Sequence, residues 1–334
     1  MARIAINGLG RIGKLVLKAF FEHGLPGEIV WLNDPVGRPQ DHALWLEFDT
    51  VHGRWGAQFG HDADGISVNG HRMGLSHVSR IEDLDLTGID LVVDCTGTFK
   101  TPAKVQPYYD AGVKKVVISA PVKEAPALNL VYGVNHDLYD PAQHHLVTAA
   151  SCTTNCLAPV VKVIHDEIGI EHGSITTIHD VTNTQTIVDR PAKDARRARS
   201  ALNSLIPTTT GSATAITLIY PDLSGRLNGH AIRVPVLNGS LTDCVFEVKR
   251  PVTVEEVNGL FKRYADGPLQ GILGFEDRPL VSADFLNDPR SSIIDGPSTM
   301  VVNGTQLKVY AWYDNEWGYA CRLADIVRMM AQDL

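Results

Sequence analysis

A single loop near the start of the chain restricts its fold more than any other feature. Gly8-Leu9-Gly10-Arg11-Ile12-Gly13 follows a short apolar run, Arg3 to Ile6, and opens a segment carrying Ile12, Leu15, Val16 and Ala19. Apolar residues at i, i+3, i+4 and i+7 form the buried stripe of a helix, so the loop joins a strand to a helix. In that setting the three glycines allow a tight turn, close approach of backbone to a pyrophosphate, and close packing of helix on sheet, with phosphates resting on the helix N-terminus. A second apolar run, Ile29 to Leu32, ends in Asn33-Asp34. An acid roughly 20 residues beyond such a loop bonds ribose hydroxyls and repels an added 2′-phosphate, which selects NAD. The plainer reading, a turn capping an ordinary strand–helix unit with Asp34 in a surface loop, fits less of this context.

The same rhythm continues through the first half, with Leu91 to Val93, Val116 to Ile118 and Leu146 to Thr148 as further short Val- and Ile-rich runs between mixed segments. Strands alternating with helices predict an α/β unit, a Rossmann-type parallel sheet. Past Ser151 the pattern changes to a helix through Val160, Val163 and Ile164 and then extended stretches at Ser174 to Ile178, Ala231 to Val234, Thr242 to Val248 and Lys308 to Trp312. Strands in succession predict a second, α+β domain with a mainly antiparallel sheet. A helix is expected over Glu255 to Ala265 behind a Thr253…Glu256 capping box, and an amphipathic helix through Leu323, Ile326, Val327 and Met330 ends the chain. The 334 residues suit two domains, read as 1–150, 151–315 and a terminal helix over 316–334.

Composition removes several classes of function. Thirty-eight acids against thirty bases give a net charge of −8, unsuited to a broad nucleic-acid or anionic-membrane surface. The apolar runs are too short for a membrane span, and Met1-Ala2-Arg3 leads straight into a strand without the apolar stretch of an export signal, so the expectation is a cytoplasmic protein. Five scattered cysteines, Cys95, Cys152, Cys156, Cys244 and Cys321, do not resemble a disulfide framework. The thirteen histidines are equally dispersed, and no metal is expected.

Ser151-Cys152-Thr153-Thr154-Asn155-Cys156 stands just after a strand and opens a helix. A thiol there feels the positive end of the dipole and several free amides, which favours the thiolate and makes Cys152 a candidate nucleophile. Cys156, one turn further in and beside Ala158-Pro159-Val160, reads as a packing thiol. The run Ile175-Thr176-Thr177-Ile178-His179 is a strand ending in a histidine, which could serve the thiol as a base or could be a satisfied structural residue. A dinucleotide loop paired with a helix-capping cysteine points to an aldehyde oxidised as a covalent hemithioacetal.

Over essentially its whole length the chain resembles the phosphorylating glyceraldehyde-3-phosphate dehydrogenase family. The matching blocks are Ile6 to Gly13, Asp49-Thr50-Val51-His52-Gly53, Ser151 to Cys156, Arg196-Arg197-Ala198-Arg199, Ile206 to Gly211, Arg233-Val234-Pro235 and Tyr313 through Tyr319. The resemblance implies that Cys152 is the nucleophile and His179 its base, with the Cys152 amide and the His179 side chain holding the oxyanion. It implies NAD as cofactor, with Gly8, Gly10, Arg11, Ile12, Gly13, Asp34, Arg80, Thr96, Ser119, Asn315 and Tyr319 at cofactor positions and Asn315 on the nicotinamide carboxamide. Thr182 and Arg233 match the site for the C3 phosphate of glyceraldehyde 3-phosphate, and Ser151, Thr153, Arg197, Thr210 and Gly211 the site for attacking inorganic phosphate. It also implies a homotetramer, with the arginine-rich stretch between His179 and Ile206 at a subunit contact and the C-terminal helix returning to the first domain.

Several positions depart from the family pattern. Arg80 lies in Ser79-Arg80-Ile81 rather than between acids, Asp180 and Val181 replace a small residue and an aromatic after the histidine, and Cys321 replaces Asn. Arg190 stands where NAD-using relatives often carry leucine, and is read either as an interface ion pair or as a contact to a neighbouring adenosine ribose. An erythrose-4-phosphate dehydrogenase shares the Cys and His but generally lacks a segment like Pro207 to Gly211, and a nonenzymatic redox sensor would have no need of two anion sites. The texture of His179 to Gln185 and of Leu241 to Cys244 resembles the branch associated with arsenate resistance, which implies arsenate as a substitute for phosphate and 1-arseno-3-phosphoglycerate as product.

Overall fold

A computed structural model describes residues 1–24 and 26–334, in two compact units, Met1–Ser151 with Ala320–Leu334, and Cys152–Tyr319. Every strand expected in the first half is present. Among the described residues, nine strands of the first unit form one sheet, and its parallel centre places Leu91–Asp94 and Gly27–Asn33 on either side of Ala2–Asn7. Chain order therefore reverses at Ala2–Asn7, and ligands of open α/β sheets bind at the carboxyl ends of strands at such a point. Buried on both faces, these strands read as continuous apolar runs. Ile4, Ile6, Leu32, Leu91, Val92 and Val93 are all inaccessible.

Polar side chains stand in one row where those strands end. Register aligns Ser76 with Asn33, Asn33 with Asn7 and Asn7 with Asp94. Ser76 Oγ donates to Asn33 Oδ1 (2.8 Å), Asn33 Nδ2 to Asn7 Oδ1 (2.8 Å), Asn7 Nδ2 to the Tyr108 hydroxyl (2.6 Å), and that hydroxyl to Asp94 Oδ2 (2.8 Å). Thr96 completes the set, giving its amide and hydroxyl to Asp94 Oδ1. Burial raises the Asp94 pKa against the pull of these hydrogen bonds from Thr96 and Tyr108.

In the second unit, the described strands run Ile206–Thr209, Leu227–Arg233, Ile170–His179, Ser240–Val248, Gln306–Tyr313, Ser292–Asp295 and Leu273–Glu276, with Met300–Val302 also on Gln306–Tyr313. The sheet is mainly antiparallel, with parallel pairing of Ile170–His179 to Leu227–Arg233 and of Leu273–Glu276 to Ser292–Asp295. Strict alternation of burial along Ser240–Val248 puts Thr242, Cys244 and Phe246 on a covered face. The helix Cys152–Glu167 packs there, burying Leu157, Val160, Val161, Val163 and Ile164, each worth about 1.5–3 kcal/mol.

One local expectation changes in detail. Thr253 caps the helix Val254–Ala265 by accepting from the Glu256 amide (3.2 Å), but the Glu256 carboxylate turns to Arg250 (2.7 Å) instead of completing a capping box. An ion pair outcompetes the neutral backbone donor for that carboxylate.

The polar row yields a stability test. Tyr108→Phe leaves the Asn7 amide and a buried Asp94 oxygen without their partner, so we expect a loss of about 1–3 kcal/mol, read as a Tm lowered by about 2–4 °C for each kcal/mol. An unchanged Tm would show that the row contributes nothing.

Candidate active site

The glycine loop has the geometry that a dinucleotide needs. Gly8 has φ +94°, and a Cβ there would lie 2.8 Å from the Cys95 carbonyl carbon and the Thr96 amide nitrogen. A Cβ on Gly13 would lie within 1.9 Å of the Gly8 carbonyl oxygen, so the helix Arg11–His23 can sit on the strand only through glycine. At Gly10 a Cβ would meet nothing within 4 Å. This residue is the helix N-cap, without a side-chain cap and with no acid in the following turn, so the positive end of the helix faces open space, as an anion requires.

Other cofactor candidates of this unit are placed with differing roles. Asp34 accepts from the Leu9 amide (2.8 Å) and the Val36 amide (3.0 Å), so its carboxylate also fixes the loop it serves. Arg11 is ion-paired with Asp49, which also accepts from the amides of Val51 and His52; Arg11 thus anchors the Asp49 to Gly53 block. Ile12 is partly covered in the first helical turn. Ser119 donates its amide to the Asp94 carbonyl (2.9 Å). Arg80 is exposed and lies 3.5 Å from Glu82 and 3.9 Å from Asp83, so acids do flank it in space although not in the expected order.

In the second unit the nucleophile candidate meets its base. Cys152 begins the helix Cys152–Glu167, and its Sγ lies 3.6 Å from His179 Nε2 at the end of strand Ile170–His179. The imidazole is buried, with its ring edge-on to Tyr313 at 6.0 Å between centroids. The other nitrogen, Nδ1, is 2.5 Å from Asp180 Oδ1, 3.0 Å from the Asp180 carbonyl and 2.7 Å from Arg233 Nη1. One proton on Nδ1 cannot be donated to Asp180 while the nitrogen accepts from Arg233. The carboxylate contact is the shorter and opposite in charge, so Nδ1–H donates to Asp180, and Arg233 Nη1 donates to the Asp180 carbonyl (3.0 Å). Burial alone would lower the His179 pKa, but the Asp180 hydrogen bond and the neighbouring thiol outweigh it and raise it to about 9.

Asn315, 5% exposed, donates Nδ2 to Asp180 Oδ2 (2.7 Å) and accepts from Ser240 Oγ (2.9 Å). Tyr319 is buried in the first turn of the helix Trp317–Ala331. Thr153 is buried, and its hydroxyl meets that of Tyr313 (2.9 Å), which also meets Thr177 (2.8 Å); the Thr153 group left for an anion is therefore its amide at the helix start. Ser151 immediately precedes Cys152. Cys156 lies 3.5 Å from Thr242 Oγ1 and 3.6 Å from Ser292 Oγ, and burial pushes its thiol up to about 12, the behaviour of a packing residue.

Two of the remaining anion candidates, Thr182 and Arg197, meet at Thr184. Thr182 Oγ1 lies 2.9 Å from Thr184 Oγ1, which accepts from Arg197 Nη1 at 2.9 Å. Arg197 also sits 3.4 Å from Asp194. Arg233 has its pKa lowered by burial, with Cys152, Asp180 and Tyr313 opposing and the positive charge of Arg197 adding to the fall. Its Nε is buried without a hydrogen-bond partner. Thr210 Oγ1 bonds Ser212 (3.1 Å), and Gly211 is the exposed N-cap of the helix Ser212–Ile219. Thr184, Ser240, Thr177 and the contact role of Asp180 have no motif in the sequence; only the departure at Asp180 pointed there.

The family described as "Glyceraldehyde 3-phosphate dehydrogenase, NAD binding domain" matches residues 2–102, and its C-terminal domain counterpart matches 151–315. Glyceraldehyde-3-phosphate dehydrogenase 3 of Nostoc sp. is 57% identical over 335 residues, covering 99% of each chain. Glyceraldehyde-3-phosphate dehydrogenase 2 of Bacillus subtilis is 45% identical over 98% of this chain and 96% of its own. The Geobacillus stearothermophilus enzyme is 46% identical over 98% of both. The chain belongs to the glyceraldehyde-3-phosphate dehydrogenase family and carries that family's NAD-binding domain.

Proposed function

We propose that this chain oxidises D-glyceraldehyde 3-phosphate to 1,3-bisphosphoglycerate with NAD and inorganic phosphate. The observation that carries the reading is the 3.6 Å approach of Cys152 Sγ to His179 Nε2 in the unit that also holds Arg233 and Arg197. The Cys152 thiolate attacks the aldehyde carbon, forming a C–S bond as the carbonyl electron pair moves to oxygen. The Cys152 amide and His179 Nε2–H hold that oxygen, and His179 delivers its proton to give the hemithioacetal. His179 then takes the hydroxyl proton as the carbon loses hydride, leaving a thioester. Bound NAD supplies the hydride acceptor, for which the open space at Gly10 and the uncapped amides beyond it are suited. A phosphate oxygen then attacks the thioester carbonyl, the C–S bond breaks, and the thiolate is restored.

Thr182 and Arg233 are read as holding the substrate's C3 phosphate, and Ser151, Thr153, Arg197, Thr210 and Gly211 the attacking phosphate. The buried unpartnered Nε of Arg233 and the mutual repulsion of Arg233 and Arg197 support this, because a dianion would relieve both. Asn315 and Tyr319 are assigned to the nicotinamide end of NAD, and Arg11, Ile12, Asp34, Arg80, Thr96 and Ser119 with the loop glycines to the remainder. A homotetramer is part of the reading, supported by the exposure of Ile187, Val188, Leu202 and Leu205 in the segment before Ile206. A cytoplasmic location is its companion. Among the described residues no helix is long and apolar enough to cross a membrane.

NAD reduction measured with glyceraldehyde 3-phosphate and with erythrose 4-phosphate, each with and without phosphate, tests the core assignment. A phosphate requirement with the triose supports it, and phosphate-independent oxidation of the tetrose alone overturns it. Cys152→Ser should abolish turnover, and His179→Asn should slow it by about 10²–10⁴-fold at neutral pH. Full activity of Cys152→Ser would exclude the covalent route.

NAD should be strongly preferred over NADP, and Asp34→Asn, which keeps an acceptor for the loop amides, should reduce the ratio of kcat/KM for the two by about tenfold or more, or about 1.4 kcal/mol. Arg190 is exposed and the adjacent Asp189 is taken by Arg199 (2.7 Å), so residual NADP use should disappear in Arg190→Leu. Equal kcat/KM for the two cofactors in the unaltered enzyme would refute the role of Asp34.

Arsenate use is the second reading. A site of hydroxyls, amides and Arg197 discriminates poorly between two tetrahedral dianions of nearly equal size, so attack by arsenate would give 1-arseno-3-phosphoglycerate. The expected outcome is an arsenate-to-phosphate ratio of kcat/KM above that of a glycolytic relative, with loss of arsenate tolerance in a deletion strain. An unchanged ratio and tolerance would leave ordinary carbon metabolism.

A further inference from the structure

His179 has an unusual neighbour on its far side. Asp180, 1% exposed, follows it at the end of the strand and folds its carboxylate back so that Oδ1 lies 2.5 Å from Nδ1. The same carboxylate accepts from Asn315 Nδ2 (2.7 Å), and Ser240 Oγ holds the other end of that amide while accepting from the Asp180 amide (3.1 Å). A small residue at this place, as the family pattern has, would leave Nδ1 with the neutral backbone carbonyl at 3.0 Å.

We infer that Asp180 is a positioning residue for this reaction, a third member behind Cys152 and His179 that fixes the imidazole as Nδ1–H donor, favours its protonated form beside Arg233, and ties it to Asn315. The inference rests on the reading of Cys152 as nucleophile and His179 as base. The charged and titratable groups facing the imidazole are Cys152 on the helix, Asp180 beside it, Arg233 on the neighbouring strand and Tyr313 across the sheet. Arg233 Nη1 stands 2.7 Å from Nδ1, so a protonated ring without the carboxylate would face a buried guanidinium unshielded. With the carboxylate in place, the balance of burial, Asp180, thiol and Arg233 holds the imidazolium to about 9. The imidazolium is then held beside the Cys152 sulfur through neutral pH. Asn315 is fixed by the same oxygen pair, so one buried carboxylate orients both the base and the amide assigned to the nicotinamide.

The test is the pH dependence of Cys152 alkylation by iodoacetamide in the full chain, read beside kcat/KM. Opposite charge at this distance shifts such a pair by about one to three pKa units. Asp180→Asn should therefore slow alkylation at neutral pH by about tenfold or more while leaving the alkaline limit unchanged, and kcat should fall with it. Asp180→Ser, carrying a small residue as relatives do, should behave alike. If both variants fold and keep the unaltered pH profiles, Asp180 only packs, and the proposal fails. Nitrogen NMR of His179 in the unaltered chain, assigned by the loss of its signals in His179→Asn, decides the case even if neither variant folds. A ring already neutral at pH 7 overturns the proposal. Cys152→Ser separates the two levels: turnover surviving there overturns the reading of the nucleophile, whereas turnover lost there with unmoved Asp180 profiles removes Asp180 alone.

Discussion

A carboxylate can be taken out of water only where donors replace the water it loses, and the site-bearing ends of both units are arranged around that requirement. In the first unit Asp94, wholly inaccessible, is met by Tyr108 and twice by Thr96. In the second, Asp180 is met by His179 and Asn315. Asp314 accepts from the amides of Asn287, Glu316 and Trp317, which joins the loop at Asn287 to the start of the last helix. Among the described residues, neither Asp94 nor Asp180 is ion-paired with a lysine or arginine. Each instead locks the neighbours that supply its donors, and those neighbours include candidates for cofactor and substrate contact.

The glycine loop shows the complementary device, a helix start without a capping side chain. Gly8 and Gly13 are glycines because backbone occupies the space of their side chains, and Gly10 because space there must stay open. With no acid in the first turn and no capping side chain, this helix start presents the positive end of its dipole to an anion. The aligned row from Ser76 to Asp94 lies directly at the ends of the strands that carry the loop, and all its hydrogen bonds run in one direction. Such a chain of polarised bonds is stiffer than isolated pairs, which suits a loop that must approach a phosphate closely.

How legible this was in the sequence depends on whether a residue acts through its neighbours in the chain or through partners far away. The parallel strands were readable because burial on both faces makes unbroken apolar runs, and the helix at Cys152 because its loop and stripe are local. The strands Gly65–Val68 and His71–Ser76 were not read: Gly74 weakens the pattern, and only the Trp31 ring, 2.3 Å from where a Cβ would stand, explains it. The helix Pro102–Asp110 was hidden by Pro107 within it and by having only Val105 and Tyr108 buried. In the site, Cys152 and the glycines follow from local context, whereas local context leaves His179 open and the family resemblance singles it out. The contact of the Thr153 hydroxyl with Tyr313 is not legible locally, because the partner is far along the chain. The same holds for Asp180, whose meaning depends on Ser240 and Asn315.

A net charge of −8 does not oppose the anion sites proposed for the second unit. Many acids lie in ion pairs with surface arginines, such as Glu276 with Arg278 and Asp62 with Arg72, whose charges cancel and contribute little field within a buried site. Inside, Arg233 is half-buried with an unpartnered Nε and feels Arg197. The one internal carboxylate against it, Asp180, is already engaged by His179 and Asn315 and reaches Arg233 only through its backbone carbonyl. The guanidinium is thus kept positive and incompletely satisfied, a state that costs stability in the free protein and favours a phosphate when one arrives. Local geometry, rather than net charge, sets what the site attracts, and it does so by withholding from Arg233 the carboxylate that stands beside it.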